Sequence, residues 1–154
     1  MQRLIVVALT VAAVALGIVI ARNRPSADQQ ALDFRQALMT VIDGVSAPLF
    51  RIQRGQQSYD DALVSRHAMQ LATLGGMVSE AFARDTHNAH LQSGALPYVW
   101  SDPGAFATAT GRMQQATAAL QQSVAGHDRA QIERAIQVLA GSCAQCHRQF
   151  RANE

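Results

Sequence analysis

Residues 128–150, DRAQIERAIQVLAGSCAQCHRQF, decide the fold. Apolar side chains recur there at steps of four, three, four, three and four residues, at Ile132, Ile136, Leu139, Cys143, Cys146 and Phe150. This spacing is typical of a helix with one buried face. Asp128 followed by Gln131 predicts the N-terminal cap. The stretch therefore predicts a helix that turns both cysteines toward a core.

The sequence before this helix predicts a first helix that begins after Pro25. Ser26 and Gln29 form an S-x-x-Q capping box. The apolar positions are Leu32, Met39, Ile42 and Leu49, with a neighbouring stripe at Phe34, Leu38, Val41 and Val45. We expect Gly44 and Pro48 to end or bend this helix, and the polar residues 51–57 to connect it to the next.

Two more helices complete the pattern. Ser58, with Asp61 three residues later, starts one that extends to Phe82, and residues 84–101 lack periodicity and form a long loop. Asp102 and Pro103 predict the cap and first residue of the next, which Gly126 ends. Four helices with mostly short turns predict an all-α, antiparallel four-helix bundle. No run of alternating β-branched residues predicts a sheet.

Composition narrows the class of protein. The 154 residues are 49% hydrophobic and 16% charged, which fits one globular domain. The formal charge is +2, but from residue 25 onward ten arginines face eleven acidic residues. A nucleic-acid-binding protein would need a basic face, so the near-neutral domain at 25–154 argues against that partner.

Residues 4–21, LIVVALTVAAVALGIVIA, are uncharged and flanked by arginines. A helix of this length rises about 27 Å, enough to cross a hydrocarbon core. We expect residues 1–24 to form an uncleaved hydrophobic helix that anchors the domain to the inner membrane, facing the periplasm. The alternative is a secretory signal cut after the Ala13-x-Ala15 pattern, which would leave a soluble periplasmic domain.

The motif Cys143-Ala144-Gln145-Cys146-His147 carries the chemistry. On a helix the thiols lie three residues apart and the imidazole lies four residues from Cys143, so all three groups project from one face. Covalent attachment of haem c uses this arrangement, with two thioether bonds and an imidazole on the iron. Export supports it, because bacteria attach haem c outside the cytoplasm.

Three other uses of the cysteines remain open. A thioredoxin-like CxxC would follow a strand in a βαβ unit, which this pattern lacks. A structural zinc would need four ligands, and the remaining histidines are scattered. Plain buried cysteines would be prone to oxidation in an exported protein.

Several stretches together resemble a known family. They are FRQALMTVI at 34–42, SAPL at 46–49, YDDALV at 59–64, VWSDPGAF at 99–106 and GSCAQCHRQFR at 141–151. From Ser26 to Arg151 the chain resembles cytochrome c-prime (cytochrome c'), a four-helix-bundle class of c-type cytochromes. The resemblance implies one haem c, with Cys143 and Cys146 as thioether anchors and His147 as the proximal iron ligand.

The resemblance also implies roles for residues near the haem. Arg151 matches a basic residue close to the proximal face, although an arginine that compensates the end of the helix fits equally well. Arg35 matches an arginine near a haem propionate, with a solvated arginine as the alternative. Trp100 matches the family's W-S-D, and core packing explains it equally well.

Met39 occupies the position that in this family faces the open side of the iron. A methionine there can be the sixth ligand or only core filler. Coordination favours a one-electron carrier that works with redox partner proteins. An unbound Met39 favours a five-coordinate iron that captures NO or CO.

The remaining histidines point to no further chemistry. His67 fits a satisfied histidine at the edge of the core, His127 a turn, and His87 with His90 at most a surface metal pair. The sequence holds no motif of an enzyme. Surplus apolar residues predict a homodimer through the first two helices, at Phe34, Leu38, Val41, Val45, Val64 and Met69.

Overall fold

The computed structural model describes residues 24–152. The predicted hydrophobic helix at 4–21 lies outside these residues. The helices are α1 (Ala27–Gln53), α2 (Asp61–Gly76), α3 (Val78–Ala81), α4 (Tyr98–Ser101), α5 (Pro103–Ala125) and α6 (Arg129–Phe150). Within the described part no strand forms, and a single antiparallel bridge joins Ala95 to Arg151. No helix between residues 24 and 152 has both the length and the apolarity needed to cross a membrane.

The four long helices form the predicted bundle. Helix α1 packs on α2, α2 on α5, α5 on α6, and α6 on α1, so the four enclose a common core. Its most completely buried large side chains are Leu49, Val64, Leu120, Ile132, Ile136 and Leu139. Each long helix contributes at least one of them. The site that follows is therefore built on packed helices rather than on loops.

Helix α1 does not end at Gly44 or Pro48, so the prediction of an end there is wrong, and the predicted connection at residues 51–57 begins only after Gln53. It runs to Gln53 with Pro48 inside it. Proline removes one backbone hydrogen bond, and its ring crowds the carbonyl four residues earlier, here that of Gly44. Continuing the helix buries Leu49 and Ile52, which are 0% and 7% exposed. Burial of two large aliphatic side chains offsets much of that cost.

The prediction of the second helix is wrong in two respects, its first residue and its unbroken length. Its cap is Asp60 rather than Ser58, because the Asp60 carboxylate accepts a hydrogen bond from the Leu63 N–H at 2.8 Å. The helix stops at Gly76, and α3 follows as a separate turn. Paired glycines disfavour a helix interior.

The predicted caps of the other helices are confirmed. Asp102 accepts from the Ala105 N–H at 2.9 Å and Asp128 from the Gln131 N–H at 3.1 Å. Ser26 accepts from Gln29 at 3.1 Å, but the Gln29 side chain donates to Asp33 and does not close the box. The predicted long loop 84–101 is wrong at its end, where residues 98–101 form α4.

The surplus apolar surface is smaller than predicted. Leu38 and Val64 are 5% and 0% exposed and belong to the core. Val45 is half-buried against that core. Phe34 and Val41 on α1, with Met69 on α2, stay 38%, 49% and 56% exposed. We call these three residues the α1–α2 apolar patch.

Candidate functional site

The CAQCH motif lies entirely within α6, before its last residue, Phe150. Cys143 packs against the main core, and Cys146 packs beside Phe150 and Val99. Both cysteines are free thiols and half-buried, whereas His147 is exposed. The helix thus turns the two thiols toward the bundle, as the sequence predicted.

A small cavity borders Cys143. Its volume is about 10 Å³, and its lining draws on all four long helices, including Ile42 of α1, Leu71 of α2, Met113 of α5 and Leu139 of α6. The hydroxyls at its edge, Ser46 and Thr117, donate to backbone carbonyls of their own helices. The surroundings of the Cys143 thiol are therefore largely apolar, while the cavity itself has room only for a water-sized group.

The protonation states at the motif suit ligation. Burial raises the pKa of both the Cys143 and the Cys146 thiols, so they stay protonated at neutral pH. For His147, partial desolvation lowers the pKa, repulsion from Arg151 lowers it further, and Asp43 partly opposes both effects. The imidazole is consequently neutral near pH 7, which is the form that binds a metal.

Arg35 is buried, so the alternative of a solvated arginine is wrong. It is 3% exposed, and its Nε donates to the Ala81 carbonyl at 3.2 Å. One terminal nitrogen donates to the Thr86 hydroxyl at 3.0 Å and the other to the Arg84 carbonyl at 3.1 Å. Desolvation lowers the pKa of Arg35, while Asp85 opposes this shift. The side chain therefore pins the segment after α3 onto α1.

Two aromatic rings pack against this guanidinium. Its central carbon lies 4.7 Å from the Phe82 ring centroid and 5.0 Å from that of Trp100. The Trp100 indole N–H donates to the Phe82 carbonyl at 2.9 Å. The His87 ring stacks on Trp100, with the ring centroids 6.1 Å apart. The His87 Nδ1 also hydrogen-bonds the Asp85 carboxylate at 2.6 Å. Trp100 thus supports Arg35, a contact that the sequence did not reveal.

Arg151 lies directly after the last residue of α6 and does not continue the helix. It caps α6 with an extended backbone, φ −116° and ψ 137°. Its N–H still bonds the His147 carbonyl at 3.0 Å. Its positive charge lowers the pKa of the His147 imidazole. The backbone of Arg151 thus stays next to that of His147, while a place for its side chain at the haem remains a prediction.

Met39 is half-buried in an apolar cluster beside the cavity. It packs against a small core of Leu38, Val78 and Ala81. Ile42 and Met113 pack on the same core and also line the cavity next to Cys143. Met39 therefore lies in an apolar cluster that shares two residues with the lining of the cavity next to Cys143.

The other histidines serve local structure. The His67 Nδ1 lies 2.7 Å from the Val45 carbonyl, as predicted for a satisfied histidine at the edge of the core. His127 has φ 54° in the turn before α6, and His90 has φ 53° in the long loop. Over residues 24–152 no group of three or more His, Cys, Asp or Glu side chains could hold a metal ion.

Comparison with known proteins identifies the family. The model of the family described as Cytochrome C' matches residues 30–151. The chain belongs to the cytochrome c' family. Members of this family bind a single covalently attached haem c, and this chain is accordingly a haem protein.

Individual relatives agree with this assignment. The chain is 28% identical over 128 residues to cytochrome c-554 of Cereibacter sphaeroides, covering 82% of this chain and 83% of the relative. It is 31% identical over 117 residues to cytochrome c' of Pararhodospirillum photometricum, covering 76% and 91%. A nitric oxide complex of a cytochrome c prime mutant from Alcaligenes xylosoxidans has the same fold, with a TM-score of 0.75, 23% identity, and coverage of 85% and 100%.

The residues present fit a cytochrome c' haem. Two free thiols and a neutral imidazole one residue further on form a donor set of the required kind. Neither thiol is engaged in a disulfide. These groups come from one helix, so a single rigid element presents them together.

Proposed function

We propose that this chain is a one-electron carrier whose haem c is held by Cys143, Cys146 and His147. The observation that carries the proposal is the position of these residues on α6, with both thiols turned into the bundle, Cys143 beside the apolar cavity, and the imidazole neutral. Each thiol adds its S–H across one vinyl group, so two thioethers form and no atom is lost. The bound group supplies an iron that cycles between the ferrous and ferric states.

The chain's own residues hold and tune that group. The His147 nitrogen lone pair is the proximal ligand, and α6 fixes its distance from both sulfurs. Arg35, buried and hydrogen-bonded to acceptors on α3 and the following segment, supplies a fixed positive charge for a propionate. The apolar side chains around Cys143 exclude water, which raises the strength of every charge effect inside the bundle. None of these roles is enzymatic.

The thioether of Met39 is the proposed sixth ligand. Its support is the half-buried position in the cluster that adjoins the cavity, together with the flexibility of an unbranched side chain. A six-coordinate iron changes its ligands little on reduction, which suits exchange of electrons with redox partner proteins.

The second candidate function is capture of NO or CO by a five-coordinate iron. The largely apolar surroundings of Met39, which include Leu38, Val78 and Phe82, favour it, because apolar side chains disfavour polar ligands more than an apolar diatomic gas. A nitric oxide complex exists for the relative from Alcaligenes xylosoxidans. In this case Met39 is a distal wall rather than a ligand.

Visible spectra of the ferric and ferrous protein distinguish the two functions. The protein is expressed in full length with haem-maturation machinery. The electron-carrier proposal predicts low-spin spectra in both states and slow CO binding. High-spin spectra with rapid CO binding would reject it and support gas capture.

We propose that the domain works in the periplasm. Residues 1–24, with the uncharged stretch at 4–21, carry the export signal and remain as an inner-membrane anchor. Mass spectrometry of the mature protein tests this, with an intact N-terminus and recovery from the membrane fraction as the expected result. A soluble species that begins beyond residue 15 would contradict the anchor and favour a cleaved signal.

We propose that two copies pair through the α1–α2 apolar patch, in which Phe34, Val41 and Met69 remain exposed. Pairing would bury this surface around a two-fold axis. Val41→Asp places a charge in the patch, so we expect it to convert a dimer to a monomer at micromolar concentration. Sedimentation of the detergent-solubilised or processed protein measures the mass.

The matched control for this change is Val138→Asp on α6. Val138 is also an exposed helical valine, at 61%, but it lies outside the patch. The control should leave the mass unchanged. A monomeric wild-type protein, or equal dissociation in both variants, would contradict pairing through α1 and α2.

A further inference from the structure

Charge is unevenly distributed between the two halves of the bundle. Residues 25–101, which include α1 and α2, hold five arginines and seven acidic residues. Residues 102–152, which include α5 and α6, hold five arginines and three acidic residues. The first half therefore has two more negative than positive charges, and the second half has two more positive than negative charges. The near-neutral domain is electrically polar.

The three acidic residues of the α5–α6 half lie at helix starts. Asp102 and Asp128 cap α5 and α6. Glu133, in the next turn of α6, accepts a hydrogen bond at 2.9 Å from the arginine four residues before it. Residues 103–127 and 134–152 contain no acidic residue. Most of the length of both helices therefore carries positive charges only.

The outer side of α6 carries a row of exposed residues. Arg134, Gly141 and Arg148 follow at steps of seven residues, about two helical turns, and all three are exposed. Cys143, two residues after Gly141, packs against the core, so the row lies on the opposite side of the helix. Val138 lies beside the row and is 61% exposed. This side of α6 thus has an open apolar centre between two cations.

Arg112 of α5 extends the positive surface. The Gln114 side chain, two residues later, donates to the Gly75 carbonyl of α2 at 3.4 Å. Two residues on a helix point about 200° apart, so Arg112, which is exposed, lies on the flank away from α2. Helix α6 packs on that flank. We define the α5–α6 face as Arg112, Arg134, Val138, Gly141 and Arg148.

We propose that the α5–α6 face is the docking surface for an acidic redox partner protein, an inference that rests on the proposed function. Helix α6 presents the face outward and turns Cys143 and Cys146 inward, so a docked partner lies about 10 Å, one helix diameter, from the sulfurs. One electron passes from the partner to the ferric iron, which becomes ferrous. Arginine is enriched at protein interfaces, and complementary charges speed the encounter of two proteins.

A protein fits this face better than an anionic membrane surface does. Clusters that bind anionic lipids hold about four to eight cations, and helices that lie in a membrane interface insert large apolar side chains. The α5–α6 face has three arginines and only Val138 as a large apolar residue. Pairing through the α1–α2 apolar patch also leaves the face uncovered, because it lies on the other two long helices.

Reduction of the ferric holoprotein by an acidic plant-type ferredoxin, a one-electron donor, tests the docking surface. Stopped-flow absorbance measures the second-order rate constant for the full-length protein in non-ionic detergent. The wild-type rate constant should fall by about tenfold or more from low to high ionic strength, because salt screens the attraction. Arg134→Gln combined with Arg148→Gln should remove most of this fall. Val138→Asp should act in the same direction, because it places a negative charge at the centre of the face.

Arg51→Gln combined with Arg54→Gln is the matched control. It removes the same number of charges from the other half of the bundle, where these exposed arginines donate to Gln57 and Gln56. The control should keep most of the salt dependence. A shift in reduction potential would change the rate constant equally at every ionic strength, so the dependence on salt reports docking.

Equal loss of salt dependence in both double variants would show that net charge, rather than this face, attracts the ferredoxin. A wild-type rate constant that does not fall with salt would exclude an electrostatic docking surface. Either result would overturn the proposal. So would weaker binding of the Arg134 and Arg148 double variant to phosphatidylglycerol vesicles with its salt dependence unchanged, because the face would then serve lipid. A wild-type protein without covalent haem would instead overturn the proposed function.

Discussion

Replacing both Cys143 and Cys146 by alanine will abolish covalent haem. The two half-buried thiols on α6 are the only cysteines in the chain, so no other sulfur can form a thioether. Each single variant retains one possible thioether and should bind haem in reduced yield. A denaturing gel stained for haem measures the effect, because haem held only by iron coordination is lost on denaturation.

Ser142→Ala is the matched control for the cysteine variants. Ser142 is a small, half-buried residue next to Cys143, and its hydroxyl donates to the Leu139 carbonyl at 2.7 Å. Its loss should leave the stain unchanged. A stained band in the double cysteine variant would contradict thioether attachment at these positions.

Replacing Met39 by leucine will convert a low-spin haem to a high-spin one and accelerate CO binding. A bound thioether must leave the ferrous iron before CO can enter, whereas leucine cannot ligate. The two side chains have similar volumes, so the loss of stability from repacking around residue 39 should stay under about 1.5 kcal/mol. Visible spectra measure the spin state, and stopped-flow mixing with CO measures the rate of CO binding.

Met77→Leu supplies the control for this substitution. Met77 is a half-buried methionine that packs on the same core as Met39, but it lies in the break between α2 and α3. It should change neither the spin state nor the rate of CO binding. A low-spin spectrum that survives Met39→Leu would show that another residue is the sixth ligand.

The helix caps show how much of the fold local sequence can predict. Asp102 with Pro103, and Asp128 with Gln131, are complete signals within four residues, and the structure confirms both. The break after Gly76 and the passage of α1 through Pro48 were not predicted correctly. The break has a local signal in its paired glycines, which the sequence prediction did not use. The passage through Pro48 depends on packing, since the aliphatic side chains beyond Pro48 are buried by the rest of the bundle.

The candidate site, like the fold, could be predicted from local sequence only in part. The positions of Cys143, Cys146 and His147 on one helix follow from their spacing alone. The burial of Arg35 does not, because its partners Ala81 and Thr86 lie 46 and 51 residues away. The extended backbone at Arg151 likewise depends on a segment more than fifty residues earlier, at Gly94 to Leu96.

Tandem mass spectrometry of one peptide tests the central claim most directly. Cleavage after Arg134 and Arg148 releases residues 135–148, AIQVLAGSCAQCHR, which contain both thiols and the proposed proximal ligand. In protein matured with the haem-attachment machinery, this peptide should carry one haem linked through both sulfurs, with no thiol left to alkylate. Recovery of the peptide at its unmodified mass, with both thiols alkylated, from cells that mature other c-type cytochromes would contradict the account.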